Sequence, residues 1–172
     1  VWNGGASIVG GAIGGVLAGG WMARRVGAPL GVVLDVGAVG LGLGMAIGRI
    51  GDIVNGEHHA VACDALAWCV RYTHPNTLGQ SYPVHPAVAY EMVWDLVAVA
   101  VVLWLRPRAR ALGLEGRLVF VFLAIYALGR FAISFLRLDP PWLFGLAQAQ
   151  VVSLALVALG AWIVVKRPIL SG

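Results

Sequence analysis

The chain has 172 residues, 60% of them hydrophobic and 12% charged, with a mean hydropathy of +0.86. Soluble domains carry about 25% charged residues, so half that share, together with apolar runs of about twenty residues, places the chain in a bilayer. The formal charge of +4 does not point to nucleic acid, because the basic residues cluster at the ends of apolar runs and not along one polar face. The sequence opens at Val1, and no positively charged leader with a cleavage site precedes the first apolar run, so no signal peptide is expected.

Five segments are expected to cross the membrane, over 5–23, 31–50, 86–105, 117–137 and 145–165. Each matches the length that roughly 30 Å of hydrocarbon requires. Each must be helical, since unpaired backbone groups are too costly in lipid. The expected fold class is therefore an all-α, polytopic membrane helix bundle of about five helices.

In span one, Gly10, Gly11, Gly14, Gly15 and Gly19 form a bare stripe; Gly40, Gly44 and Gly48 repeat it in span two. Close helix packing is the expected use, with a lipid headgroup reaching the backbone as the alternative. Asp35, near the start of span two, reads as a boundary residue without a functional role. Arg49 closes span two and opens the run Gly48–His59, whose density of Gly, Asn, Asp, Glu and His predicts a binding loop. Within it Arg49 and Asn55 can donate to phosphate oxygens, and Arg does so with a two-pronged fork.

The segment 51–85 is the expected outer loop. It holds Cys63 and Cys69, six residues apart, a spacing of neither a redox motif nor a zinc knuckle. Two unpaired cysteines are the expectation. A disulfide is the first alternative, and a metal site with His58 and His59 a more distant one. Trp68, Tyr72, Tyr82 and Trp142 are expected at headgroup level.

Span three carries Glu91 and Asp95 one turn apart, after His85, Pro86 and Tyr90. The pair is expected to neutralise Arg130 and Arg49, with general acid–base work as the alternative. In span four, Arg130 lies deep among apolar residues on a stripe with Tyr126, Ser134 and Arg137. A charge at that depth faces a cavity or a partner, and anion binding is expected ahead of a purely structural ion pair. Gln148 and Gln150, at the start of span five, are expected to cap the outer end of the cavity.

Charge orients the helices. Arg24 and Arg25 follow span one, Arg106, Arg108, Arg110 and Arg117 separate spans three and four, and Lys166 and Arg167 follow span five. With five crossings all three clusters share a side, assigned to the cytoplasm. The N-terminus and the 51–85 and 138–144 loops then lie outside, and the C-terminus inside.

An ordered series of these residues resembles the prolipoprotein diacylglyceryl transferase family. Trp2-Asn3-Gly4-Gly5 is similar to its opening motif and Gly48–Glu57 to its GRxGNxxNGE signature. His85–Glu91 resembles its HPxxxYE segment, Tyr126–Arg130 its YGxxR segment, and Gly145–Leu154 its last helix start. The resemblance implies a single transmembrane transferase-like domain over 1–172, and, since the family has seven spans, two helices upstream of Val1. It implies transfer of a diacylglyceryl group from phosphatidylglycerol to the lipobox cysteine of a prolipoprotein in the bacterial plasma membrane. No cofactor, metal or nucleic acid is called for. Carried over by motif, Arg49, Arg130, Glu57, His85 and Glu91 are the catalytic candidates. Asn3, Asn55, Tyr90, Tyr126, Arg137 and Gln150 are the substrate-binding ones. The chain departs from the family at Asn3, where members often have His, at Asp52, where the signature has Asn, and at Ser134, where many have Glu. An inactive relative that binds anionic lipid or precursor is the alternative reading. A transporter or channel would need internal repeats or a polar pore, and the sequence carries neither.

Overall fold

The computed structural model describes residues 8–166; Asn3, the rest of the opening motif and Arg167 lie outside them. Five α-helices follow in order: α1 (Ile8–Val26), α2 (Leu30–Asn55), α3 (Ala87–Leu105), α4 (Leu118–Ser134) and α5 (Gln148–Val165). Each falls on one of the expected spans. The segments Leu30–Asn55, Ala87–Arg108 and Gln148–Val165 are long and apolar enough to cross a membrane, and α4 is a shorter apolar helix of 17 residues. The protein is a polytopic helical membrane protein.

The core lies between α2, α3 and α4, around Ala38, Ala98, Val99, Val102, Leu118 and Phe122. Small residues let these helices meet: a side chain at Gly42 would run into Val99 and Phe122, and one at Gly129 into the Trp94 ring. Trp94 is fixed there by its Nε1–H, which donates to the Ile125 carbonyl at 2.7 Å. Gly129→Ala should therefore displace the indole and lower stability by about 1–3 kcal/mol, read as an earlier thermal unfolding midpoint in detergent.

Asp35 has a role that the sequence does not signal. Its two carboxylate oxygens accept the N–H groups of Gly116 (2.8 Å) and Val119 (3.0 Å), so α2 caps the start of α4. The Val119 N–H lies in the first turn of α4 and has no partner within that helix, Gly116 lies just ahead of its cap, and the helix dipole favours a negative charge beside both. Asp35→Ala should cost about 1–2 kcal/mol and leave headgroup binding intact; an unchanged unfolding midpoint would remove the capping role.

The glycine stripes behave differently from the expectation. A Cβ at Gly11, Gly14, Gly15, Gly19, Gly40, Gly44 or Gly48 would meet nothing within 4 Å. Among the described residues these glycines do not bring helices together. All of them but Gly14 line an apolar groove of about 720 Å³ between α1 and α2, with Arg49 and Asp52 at one end.

The run 48–59 is not a loop throughout, because α2 continues to Asn55 and ends at Gly56, whose φ of 71° is left-handed. A side chain at Gly56 would also strike the backbone of Gly79. The following segment folds as a small cap over the bundle. Ala62 and Val70 both bridge to Val84, and Ala60 bridges to Arg137. Gln80 closes it by exchanging two hydrogen bonds with the Ala60 backbone, at 2.7 and 3.0 Å.

That register corrects the reading of the cysteines. Cys63 and Cys69 each neighbour a residue paired to Val84, which brings their Cα atoms to 5.7 Å, and they form a disulfide. Tyr72 is also not a free headgroup residue; its ring packs on Gly79 and Gly56, whereas Trp68, Tyr82 and Trp142 are exposed. Span five starts later than expected, because residues 141–147 form a hairpin, β1 (Pro141–Leu143) with β2 (Leu146–Ala147), turning through Phe144 and Gly145 with positive φ.

At the opposite end the turn before α4 meets the end of α5 and the start of α2. Arg117 donates to the carbonyls of Lys166 (2.8 Å) and Ile163 (3.4 Å), and Gly116 abuts Gly31 in the first turn of α2.

Candidate functional site

Three guanidinium groups meet one carboxylate. Glu91, near the start of α3 and 3% exposed, receives Arg130 from α4 on Oε1 and Arg137, just beyond α4, on the same oxygen at 3.5 Å. Arg49 from α2 lies 2.9 Å from Oε2. Its N–H is not aimed at that oxygen, which has no aligned hydrogen-bond donor among the described residues. Burying charges this way is tolerable when they are paired, and Glu91 supplies the shared countercharge.

The arginines differ in their second partners. Arg49 also pairs with Asp52 at 3.2 Å, and Arg137 with Asp139 at 2.9 Å. Arg130 has no second carboxylate among the described residues, and its side chain is the most exposed of the three, at 17%. A guanidinium has five N–H donors, so Arg130 retains donors for an incoming anion.

Asp95 departs from the expectation that both carboxylates would pair. It is 1% exposed, and among the described residues it makes no ion pair and its Oδ2 has no hydrogen-bond donor. One turn along α3 from Glu91 carries it below the ring of arginine heads. Ser134 gives its hydroxyl proton to the Phe131 carbonyl, so it anchors neither arginine; Glu91 holds both.

Around this cluster, Asn55 donates to Glu57 at 3.4 Å, and Asp52 faces His58 at 3.8 Å. Partial burial, followed by the charge of Arg137, holds the His58 pKa below its ordinary value despite Asp52. Burial opposes ionisation of Asp139, yet the Arg137 hydrogen bond and charge keep its pKa below the usual carboxylate range. His85, Glu57 and His58 line a small cavity of about 70 Å³ beneath the cap, where His85 Nδ1 is buried without a hydrogen-bond partner. Tyr126 stacks on Phe122, at 6.4 Å between ring centres, and packs on the core. Gln150 accepts the Ala147 N–H at 2.9 Å and so caps its own helix, α5. Tyr90 accepts a hydrogen bond from Trp68, a partner the sequence reading left at headgroup level.

A bundle of apolar helices that surrounds a largely buried guanidinium cluster, with an apolar groove running from Arg49 along bare glycines, defines an integral membrane protein. The sequence comparisons agree in kind. A family model for prolipoprotein diacylglyceryl transferase matches residues 1–166, and the chain belongs to that family. Its relatives include proteins named phosphatidylglycerol–prolipoprotein diacylglyceryl transferase. The one from Gloeobacter violaceus is 37% identical over 164 residues, covering 94% of this chain and 60% of the relative. The Thermosynechococcus vestitus protein is also 37% identical, over 94% of this chain and 61% of its own length. The Streptococcus uberis protein is 32% identical, over 97% and 64%. The chain thus spans about three fifths of the length of these curated relatives.

Proposed function

We propose that the chain transfers the diacylglyceryl group of phosphatidylglycerol to the lipobox cysteine thiol of a prolipoprotein. In that reaction a carbon–sulfur bond forms at the primary carbon of the glyceryl unit while its carbon–oxygen bond to phosphate breaks. Glycerol phosphate leaves with the electron pair, and the thiol gives up its proton. Negative charge therefore grows on the phosphate, and fixed positive charge in a water-poor site counts most there.

The observation that carries this reading is the asymmetry among the arginines. Arg130 has spare donors and is the one for the phosphate, while Arg49, beside the groove, holds it from the other side. Glu91 and Arg137 fix the geometry of both. Asn55, Tyr90, Tyr126 and Gln150 are the remaining substrate-side candidates, and Asn3 belongs with them by motif. Glu57 and His85 hold the neighbouring cap or relay the thiol proton. The glycine groove takes an acyl chain, since the bare helix faces leave room for one and its lining is apolar.

The whole chain is one transmembrane domain with its outer segment at 51–85, crossing the bacterial plasma membrane several times. The shared basic end faces the cytoplasm. The disulfide in the opposite cap fits an oxidising exterior and supports the reading with the N-terminus outside and the C-terminus inside. Incubation of the reconstituted chain with labelled phosphatidylglycerol and a lipobox peptide should yield labelled peptide and free glycerol phosphate. Lipid retention without labelled peptide would leave a binding protein and defeat the transferase reading.

A further inference from the structure

We infer that Trp68 is a positioning residue for the lipid headgroup, acting through Tyr90 and held in place by the Cys63–Cys69 disulfide. The inference rests on the reading that Tyr90 belongs to the headgroup site. The observation behind it is a single directed bond: Trp68 Nε1–H donates to the Tyr90 hydroxyl oxygen at 2.8 Å. Tyr90 directly precedes, in the chain, Glu91, on which the arginines converge.

An indole N–H can donate and never accept. The Tyr90 oxygen is therefore fixed as the acceptor, and its own proton must point elsewhere. Among the described residues that proton has no acceptor, so Tyr90 is left as a directed donor for an anionic oxygen. Donors in series also polarise one another, which strengthens the second bond. Without Trp68 the hydroxyl rotor is free, and donation becomes one orientation among several.

The geometry of the loop explains why the indole stays there. Trp68 is 59% exposed, so packing does not hold it. Cys69, its neighbour in the chain, is bonded to Cys63, which is itself buried and whose N–H donates to the Pro83 carbonyl at 3.0 Å. The disulfide thus closes the 63–69 loop beside the bridges that Ala62 and Val70 make to Val84, immediately ahead of α3, and carries Trp68 to the first turn of that helix. A tryptophan that merely sits at headgroup level needs no such partner, and this gives the test its discriminating arm.

The full chain would be placed in nanodiscs of phosphatidylcholine with graded phosphatidylglycerol. Both the affinity for phosphatidylglycerol and the transfer kinetics to a lipobox peptide would be measured. Trp68→Phe should raise KM for phosphatidylglycerol about fivefold, the scale of one directed hydrogen bond, with kcat within about twofold. Tyr90→Phe should do at least as much, and Trp68→Phe added to Tyr90→Phe should change nothing further. Removal of the bridge in Cys63→Ser/Cys69→Ser should reproduce the Trp68→Phe shift. A wild-type KM in Trp68→Phe overturns the inference, as does a penalty that persists in the Tyr90→Phe background, because loop packing alone would give that result. If the bridge variant does not fold, the Trp68 and Tyr90 cycle on the intact bridge decides. If the chain binds phosphatidylglycerol but transfers nothing, the transferase reading fails, and the same cycle read in Kd still judges the role of Trp68.

Discussion

Arg130→Lys is expected to retain less than about one per cent of diacylglyceryl transfer, while the protein still folds and reaches the membrane. The charge survives this substitution, so a purely electrostatic role would be largely preserved. What is lost is the planar fork. A lysine ammonium is a compact point charge with three donors, and it cannot bridge a carboxylate and a phosphate with the parallel geometry of a guanidinium. Arg130 is the position at which this matters most. Its single carboxylate partner is shared with Arg49 and Arg137, so its remaining N–H groups are uncommitted among the described residues. Arg137→Lys should do less at the chemical step, because Arg137 is already paired with Asp139 and Glu91. The measurement is single-turnover transfer from labelled phosphatidylglycerol to a lipobox peptide, beside the unfolding midpoint of each variant. Transfer by Arg130→Lys within about tenfold of the parent would take Arg130 out of the phosphate site.

Much of this arrangement was legible in the chain itself, for a physical reason. Hydropathy and the need to satisfy every backbone group fixed the five helices to within a few residues, and a lone arginine inside span four announced a partner. That its partner is a carboxylate of span three was also readable, since such a group has few other reasons to exist there. What did not read through was anything set by register across distant segments. Cys63 and Cys69 look unpaired by spacing alone; they meet because Ala62 and Val70 share Val84. Asp35 looked like a boundary residue because its partners are backbone N–H groups some 80 positions away, at Gly116 and Val119. The glycine stripes were read as packing surfaces, since a bare helix face serves a neighbouring helix and a lipid tail equally well. The choice between Glu91 and Asp95 was likewise invisible, because one helical turn separates a carboxylate that meets three guanidiniums from one that meets none.

That last contrast gives the second large effect. Glu91→Gln should destabilise the folded protein by about 3–5 kcal/mol, enough to cut the yield of detergent-stable protein severely. The amide is nearly the same size as the carboxylate, so packing is preserved and the loss is electrostatic. Arg49, Arg130 and Arg137 would face one another without their common countercharge, and Arg130 would have no carboxylate at all among the described residues. Asp95→Asn tests the same reasoning with the opposite expectation. Asp95 is equally buried and lies one turn away, yet it balances no paired cation. Its replacement by a neutral amide removes an ionisable group from a dry interior and should change stability by less than about 1 kcal/mol, or raise it. Thermal unfolding of the two variants in the same detergent compares them directly. If Asp95→Asn costs as much as Glu91→Gln, burial of a carboxyl group as such is what the bundle requires, and the arginine cluster is not held together by shared charge.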